Sequence, residues 1–227
     1  MDDVIVKALR RNALFDGVDA DAYEETVETL GATVRSYSTG ELLMRIGERA
    51  RRAGIVLEGR VRIDFYDEEG NASIVANMGP GGSFGEAIAC ADDPSIVQVE
   101  AVGDCRVLWL DMGRLTSRRT LAESSHASIV VMNTLRMLAH KNMMLNRKMQ
   151  MLAQKRLRDR IKLYLLVRDA GRATGNADKD MNRSDLARYL SVDRSALSRE
   201  LSRMRDEGLV KLDGTQITVL DRHFLGA

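Results

Sequence analysis

The sequence predicts an α+β fold in three parts: an N-terminal β-roll, one long helix and a C-terminal winged helix-turn-helix. Three observations carry this prediction: short apolar runs punctuated by glycine, then a seven-residue apolar repeat, then two capped short helices followed by a hairpin. A chain of 227 residues is long enough to bury a core in more than one of these parts. We place the β-roll at 1–120, the long helix at 121–153 and the winged helix-turn-helix at 154–227.

The N-terminal part begins with short helices and continues as a series of strands. Val4 to Leu30 has apolar residues at helical spacing among many acids, with a break at Asp16-Gly17. From about Ala32 to Leu110, short apolar runs recur at intervals of roughly ten residues, as in the alternating run Val61 to Tyr66. Regularly spaced short strands of this kind are typical of a small all-β roll or sandwich.

One loop within the predicted roll is rich in glycine. Gly79 to Ala89 has the sequence GPGGSFGEAIA and opens into a short helix at Gly85-Glu86. Free N–H groups at the start of a helix can hold an anion. A plain tight turn fits the local sequence equally well, so both interpretations stay open at this point.

The long helix carries an apolar seam that repeats every seven residues for three heptads. Its members recur at alternating spacings of four and three: Val131, Leu135, Leu138, Asn142, Leu145, Met149 and Leu152. A helix packed on its own domain would show a similar repeat. However, an Asn within an apolar seam fixes the register of two-stranded coils, so Asn142 is expected to meet its own copy across a two-fold axis. The seam therefore predicts a homodimer.

The C-terminal part contains helices with clear start signals. A first helix is predicted from Arg156 to Val167, followed by a flexible polar connection from Gly171 to Lys179. Asn182 and Asp193 stand at the N-cap positions of the next two helices, on either side of a turn at Ser191-Val192.

A hairpin follows these helices. Leu209 to Leu212 and Gln216 to Leu220 are two short apolar runs joined at Asp213-Gly214, a dipeptide typical of tight hairpin turns. Two helices and a small hairpin in this order form a winged helix-turn-helix.

The outer face of the second of these helices is basic and carries small side chains. Its candidate DNA contacts suit a major groove: Arg194, Ser195, Ser198, Arg199 and Arg203. An isolated helix of this composition is more often an ordinary solvated helix. Charge favours DNA here, because the chain from Arg147 onward has 18 Lys and Arg against 11 Asp and Glu, a net charge of +7. The rest of the chain has 16 against 22, a net charge of −6.

Composition argues against several other classes of protein. No run of eighteen apolar residues is present, so no membrane span is expected, and the acidic start Met1-Asp2-Asp3 is unlike a secretory signal. The two cysteines, Cys90 and Cys105, are too few for a disulfide framework and fit a reducing cytoplasm. Ser125-His126 has no orienting carboxylate in obvious reach, and no other catalytic constellation is found, so an enzyme is not expected.

The order of β-roll, Phe84-Gly85-Glu86 loop, long helix and winged helix-turn-helix resembles the CRP/FNR superfamily of bacterial transcription factors. The resemblance covers nearly the whole chain, from Ala13-Leu14-Phe15 through the hairpin. It implies a cyclic-nucleotide-binding-like sensor domain, a homodimer on a palindromic double-stranded DNA operator, and RNA polymerase as a further partner. It implies no certain cofactor, and the expected effector is an unidentified small molecule.

The glycine-rich loop departs from the pattern of cyclic-AMP-binding members, which use an Arg and a Ser or Thr after the Gly-Glu pair to hold the cyclic phosphate. This sequence keeps Gly85 and Glu86 but has Ser95 and Ile96 at the matching positions. Without a cation, burial of the phosphate would cost several kcal/mol, so cyclic AMP is not the expected effector. These four residues form the predicted effector pocket. Lys141, beside the seam, is a further candidate partner for an anionic effector, with a solvated lysine as the competing interpretation.

Redox or gas sensing is the alternative within the same family. Iron–sulfur members carry an N-terminal cysteine cluster, and no cysteine precedes Cys90 in this chain. A thiol sensor would use Cys90, whereas a haem would need an axial ligand such as His126, His140 or His223. An organic effector is the first expectation and redox or gas sensing the second. A ligand-binding module that does not bind DNA is a third, less favoured one.

The reading helix also departs from the family pattern, which is Arg-Glu-x-x-x-Arg. The matching residues are Arg194, Ser195 and Arg199, and Ser198 stands where a serine contributes in FNR-like members. The arginines can still bond guanine, while loss of the Glu removes the acceptor for a cytosine amino group. The half-site is therefore expected to differ from that of the best-known members. Two further residues are expected to contact phosphates and so to position the protein: Arg183 and Arg203.

Overall fold

The computed structural model of the chain describes residues 1–115, 117–173 and 181–225. Two compact units are present, Met1–His140 and Lys141–Ala227. The first unit holds the β-rich part and the second holds the helix-turn-helix, so the predicted α+β class is confirmed. The division of the chain into domains at 120 and 153 stays a prediction.

The first unit opens with short helices, as the sequence predicts. The helix α1 (Asp3–Leu9) begins after Asp2, whose carboxylate accepts a hydrogen bond from the backbone N–H of Val4 at 3.0 Å. The helix α2 (Tyr23–Thr29) follows two short 3-10 turns, at 13–15 and 20–22. The break at Asp16-Gly17 is confirmed, because Gly17 adopts a φ of +77° between these turns.

Short antiparallel strands make up the roll. Their bounds in chain order are β1 (Thr33–Tyr37), β2 (Leu42–Met44), β3 (Arg52–Glu58), β4 (Val61–Tyr66), β5 (Ala72–Met78), β6 (Ser83–Phe84), β7 (Val97–Ala101) and β8 (Cys105–Asp111). One sheet has the strand order β1-β8-β3-β6 and the other the order β2-β7-β4-β5. The strands β1 and β2 therefore lie at the edges of their sheets.

Apolar side chains from both sheets share one buried cluster. The rings of Phe84 and Trp109 meet edge to face, 5.4 Å apart, and Met44 and Val99 of the second sheet belong to the same cluster. Gly54 must lack a side chain, because a Cβ there would lie only 2.3 Å from the Phe84 ring. The other face of the first sheet packs against the N-terminal helices in a second cluster. Buried apolar side chains thus pack on both faces of the first sheet.

Helices follow the roll and lead into the second unit. Their bounds are α3 (Glu86–Ala91), α4 (Met112–Leu115), α5 (Arg118–Glu123) and α6 (Ser125–Leu152). The long helix α6 begins later than 121 because Ser124 has an extended backbone, with φ −136° and ψ 115°. The Ser124 hydroxyl accepts a hydrogen bond from the N–H of Ala127 at 3.2 Å and so caps the new helix.

The second unit contains the helix-turn-helix and its wing. Its elements are α7 (Leu157–Ala173), α8 (Arg183–Tyr189), α9 (Arg194–Asp206), β9 (Val210–Asp213), β10 (Gln216–Val219) and α10 (Arg222–Leu225). The predicted flexible connection is wrong at its start, because α7 continues through Gly171. The remainder of that connection, 174–179, lies outside the described residues. The wing turn is Gly214-Thr215 rather than Asp213-Gly214, because Asp213 pairs with Gln216 at the end of the ladder.

In the parts of the chain that the structure describes, no helix is both long enough and apolar enough to span a bilayer.

Candidate nucleic-acid interface and sensor site

The helix-turn-helix is built around a buried apolar seam. Leu186 and Leu190 from the first helix and Leu197 and Leu201 from the second are all buried in one cluster. The turn between the helices requires a left-handed residue, and Ser191 supplies it with a φ of +53°. This packing fixes which side of α9 points outward.

The caps of the two helices differ. The Asn182 side chain accepts a hydrogen bond from the N–H of Asp185 at 2.9 Å, which confirms the predicted cap. Asp193 occupies the N-cap position of α9 with an extended backbone, but its side chain makes no capping hydrogen bond. The boundary is therefore as predicted, while the expected side-chain contact is not formed.

The exposed face of α9 brings the predicted DNA contacts together. Its members are all exposed: Arg194, Ser195, Ser198, Arg199 and Arg203. Arg203 is 72% exposed and lies 3.6 Å from the Glu200 carboxylate. A weak exposed pair of this kind leaves its guanidinium able to turn toward a phosphate.

Arg183 has a different environment from the other predicted contacts. Its Nη2 group is 3.5 Å from the carbonyl oxygen of Gly214 in the wing turn. Its Nη1 group is buried and has no hydrogen-bond partner in the described part of the chain. Burial lowers the pKa of this guanidinium. A phosphate contact by Arg183 therefore stays a prediction that requires the side chain to turn outward from the wing.

Arg158 of α7 holds α9 at two places, and sequence reasoning did not identify it. Its Nε group donates to Glu200 at 2.6 Å, and its two terminal nitrogens donate to the Glu207 carboxylate at 2.7 and 2.8 Å. This bidentate geometry is the strong form of an arginine–carboxylate pair. The three residues, which we call the Arg158 clamp, fix α9 against α7. No local signal could reveal the clamp, because its members lie far apart in the chain.

Replacement of Arg158 by alanine is expected to lower the free energy of unfolding by about 1–3 kcal/mol, because Glu200, whose side chain is only 14% exposed, keeps just its longer pair with Arg203 among the described residues. Urea denaturation followed by circular dichroism measures the change. Arg188→Ala is the matched control, since Arg188 is 81% exposed and, among the described residues, pairs only with Asp185 on its own helix. Equal stability losses in the two variants would contradict a structural role for the clamp.

The stability difference between the wild type and Arg158→Ala is also expected to depend on pH. The hydrogen bonds from Arg158 lower the pKa of Glu207. A carboxylate with a lowered folded-state pKa stabilises the fold above its unfolded pKa and loses that contribution as the pH falls toward the folded value. The difference should therefore shrink below about pH 4.3, the ordinary glutamate pKa.

The predicted dimer seam on α6 is largely uncovered in the single chain. Leu135, Leu145 and Met149 are 56%, 62% and 67% exposed. The Asn142 side chain is exposed and accepts a hydrogen bond from the Asn146 amide at 2.8 Å. The remaining members are partly buried: Val131, Leu138 and Leu152.

The other side of α6 is buried within the two units. Val130 belongs to the core of the first unit, and Met151 belongs to the core of the second. Val131 also packs against the core of the first unit, so the uncovered part of the seam is Leu135, Leu145 and Met149. Exposed large apolar side chains on one stripe are the kind of surface that protein–protein contacts cover.

The glycine-rich loop contains two of the predicted effector residues, Gly85 and Glu86, and two more, Ser95 and Ile96, follow it in the chain. Gly85 has a φ of +79° at the start of α3, and the buried carboxylate of Glu86 accepts a hydrogen bond from the Ser83 hydroxyl. Ser95 is buried, and its hydroxyl donates to the carbonyl oxygen of Val97 at 2.7 Å. Ile96 is 68% exposed. The Ser95 hydroxyl therefore bonds to its own segment, whereas the Glu86 carboxylate bonds to Ser83 of the glycine-rich loop.

Lys141 belongs to the second unit, whereas the other predicted pocket residues belong to the first. A role for Lys141 in binding an effector stays a prediction.

The two thiols differ in exposure: Cys90 is exposed and Cys105 is buried. Desolvation raises the pKa of both thiols, and the Glu86 carboxylate adds to the effect at Cys90. A raised pKa reduces the thiolate fraction that redox chemistry requires.

Within the described residues, no group of three or more His, Cys, Asp or Glu side chains is arranged to hold a metal ion.

Two family models match this chain. A cyclic nucleotide-binding domain matches residues 34–117, and a Crp-like helix-turn-helix domain matches residues 159–227. These matches coincide with the roll and with the helix-turn-helix described above, in the same order. The chain belongs to the CRP/FNR superfamily. The recognition made from sequence is confirmed, and this CRP/FNR protein is a transcription regulator with a DNA-binding domain.

Two proteins similar to this CRP/FNR regulator are each 22% identical to it. The CRP-like cAMP-activated global transcriptional regulator of Mycobacterium tuberculosis is 22% identical over 226 residues, which cover 97% of this chain and 96% of the relative. The catabolite activator protein of Thermus thermophilus has a TM-score of 0.57 and 22% identity over 95% of this chain and 97% of that chain.

A second similar structure covers the sensor region. The N-terminal domain of a transcriptional regulator from Streptomyces coelicolor A3(2) has a TM-score of 0.52 and 23% identity over 62% of this chain and 95% of that chain. At these identities, the structures of other CRP/FNR proteins support the fold alone.

Proposed function

We propose that this regulator acts as a homodimer that binds a palindromic operator and responds to a small effector other than cyclic AMP. The proposal of DNA binding rests on the exposed row of arginines and serines on α9. A two-fold dimer presents two copies of this helix, which suits two half-sites of opposite orientation. RNA polymerase is the proposed protein partner, and the cytoplasm is the proposed location.

The proposed operator contains a guanine for each of Arg194 and Arg199 in each half-site. Each arginine can form two hydrogen bonds with the O6 and N7 atoms of a guanine. Ser195 has no carboxylate to accept a hydrogen bond from cytosine. Arg203 and, after turning outward, Arg183 would contact phosphates, which adds affinity without adding sequence preference.

The proposal of an effector other than cyclic AMP rests on the loop region around Ser95. Its hydroxyl bonds to the chain two residues on, and Ile96 supplies no charge. A cyclic phosphate at this loop would therefore lack the cation that compensates a buried charge. The relative from Mycobacterium tuberculosis is named for activation by cyclic AMP, and this chain is proposed to differ from it in its effector.

A thiol or haem sensor is the second candidate, and the exposure of Cys90 is the observation in its favour. Its raised pKa is the argument against it.

Selection of random DNA duplexes on the purified full chain tests the function. A palindromic site is expected, and its recovery with and without added small molecules from a cell extract shows whether an effector is needed. Addition of cyclic AMP is expected to change the affinity for the selected site by less than about twofold, as measured by fluorescence anisotropy. Failure to recover any site would overturn the proposed function, and a large response to cyclic AMP would overturn the effector assignment.

A further inference from the structure

A basic cleft lies beside the edge strands β1 and β2 of the roll, and none of the predicted effector residues lines it. Its volume is about 290 Å³. Four arginines line it, Arg35, Arg49, Arg51 and Arg52, against one carboxylate, Glu48. This excess of positive charge in one concave site favours a negatively charged ligand.

The inner side of the cleft is aromatic and apolar. It is lined by Tyr37 and Trp109, together with Leu43 and Met44 of β2. Trp109 is buried, and its indole N–H donates to the Tyr37 hydroxyl at 3.0 Å. A phenolic hydroxyl that accepts one hydrogen bond still has a proton to donate to a ligand. The cleft therefore offers cations at its rim and an aromatic surface behind them.

The arginines differ in how firmly the protein holds them. Arg52 donates to the Thr33 hydroxyl at 2.8 Å. Arg49 and Arg51 both pair with Asp92, at 3.9 and 3.3 Å. The Arg35 side chain is exposed, and its guanidinium has no hydrogen bond or ion pair with any residue in the described ranges.

We propose that this cleft binds a small organic phosphate, with the phosphate against the arginines and a compact apolar body against Tyr37 and Trp109. Arginine is suited to phosphate because its planar guanidinium donates two parallel hydrogen bonds to neighbouring oxygens. A volume of about 290 Å³ is near the lower end for small-molecule sites, which suits a compact ligand.

The Asp92 carboxylate would compete with this ligand for Arg49 and Arg51. Arg49 also donates to the backbone carbonyl oxygen of Asp92 at 2.5 Å, whereas the pairs of the Asp92 carboxylate with Arg49 and Arg51 are solvent-exposed, with about half or more of each side chain in water. Exposed pairs of this kind are weak, so a doubly charged phosphate can displace the carboxylate. Asp92 is also the C-cap of the helix α3, whose N-cap is Gly85 of the glycine-rich loop. Ligand binding would therefore change contacts of the glycine-rich loop region.

The sole tryptophan of the chain is Trp109, which gives a direct measurement. The full chain is titrated with phenyl phosphate, with inorganic phosphate and with benzoate at constant ionic strength, while tryptophan fluorescence is recorded. A saturable change is expected, with phenyl phosphate the tightest of the three probes. The absence of any saturable change with phenyl phosphate would overturn the proposal, and benzoate binding as tightly would overturn the phosphate assignment.

Two variants should move the affinity in opposite directions. Arg35→Ala is expected to weaken phenyl phosphate binding about tenfold, which corresponds to the loss of a charged hydrogen bond. Asp92→Asn, which tolerates the left-handed backbone at that position, is expected to tighten it severalfold. Arg60→Ala is the matched control, because Arg60 is an exposed arginine of the same unit that does not line the cleft.

Equal losses of phenyl phosphate affinity in Arg35→Ala and Arg60→Ala would overturn the proposed site. These measurements contain no DNA, so their failure would leave the proposed regulator function standing.

Discussion

Arg199→Ala is expected to abolish specific operator binding while the chain stays folded and dimeric. Arg199 is exposed on α9 and contributes no side chain to the buried seam beneath it. Each bidentate contact to guanine is worth roughly 1–3 kcal/mol, and a dimer loses two of them. A loss of roughly 2–6 kcal/mol corresponds to a complex about thirtyfold to about twenty-thousandfold weaker. Fluorescence anisotropy with the selected operator measures it.

Arg205→Ala is the matched control on the same helix. Arg205 is exposed but bonds to its neighbour Asp206, and it is not among the predicted DNA contacts. This variant should keep specific affinity to within a few fold. Retained footprint protection by Arg199→Ala would contradict the assignment of α9 as the reading helix.

Simultaneous replacement of Leu135 and Leu145 by lysine is expected to convert the dimer to monomer. Both side chains are more than half exposed in the single chain, so their loss leaves the cores intact. In the proposed dimer, four new positive charges would enter an apolar seam, where unpaired charge is strongly unfavourable. The dissociation constant is expected to rise at least about a thousandfold, which is roughly 4 kcal/mol. Sedimentation equilibrium measures this constant.

His140→Lys provides the control for added charge on the same helix. His140 is exposed and lies outside the seven-residue seam. This variant should remain dimeric. A dimer that survives both leucine replacements would rule out the seam as the subunit interface.

Features set by neighbouring residues could be predicted from the sequence. The Asn182 cap depends on a residue three positions away, and the buried faces of α8 and α9 follow from helical spacing. The roll was recognisable because glycine punctuates its strands at short intervals. In these elements the local residue preferences and the tertiary packing favour the same structure, so the sequence pattern predicts that structure correctly.

Features that depend on pairing across the chain could not be predicted. The Arg158 clamp joins residues 42 and 49 positions apart, and the basic cleft gathers arginines from the strands β1 and β3 and from the loop before β3. Arg183 appeared to be an outward phosphate contact, but its guanidinium is directed at the wing turn. A periodic pattern gives the side of a helix on which a residue lies, but it does not give the partner that a long side chain reaches.

The continuous course of α6 has a consequence for any attempt to study the DNA-binding part alone. Met151, near the end of that helix, is 1% exposed and fills the core formed with Ile161 and Leu165 of α7. A fragment that starts at residue 154 would leave a cavity there, and truncation of a buried methionine costs about 2–5 kcal/mol. The DNA-binding part therefore includes the last turn of α6, which precedes it. A stable isolated fragment has to begin upstream of Met151.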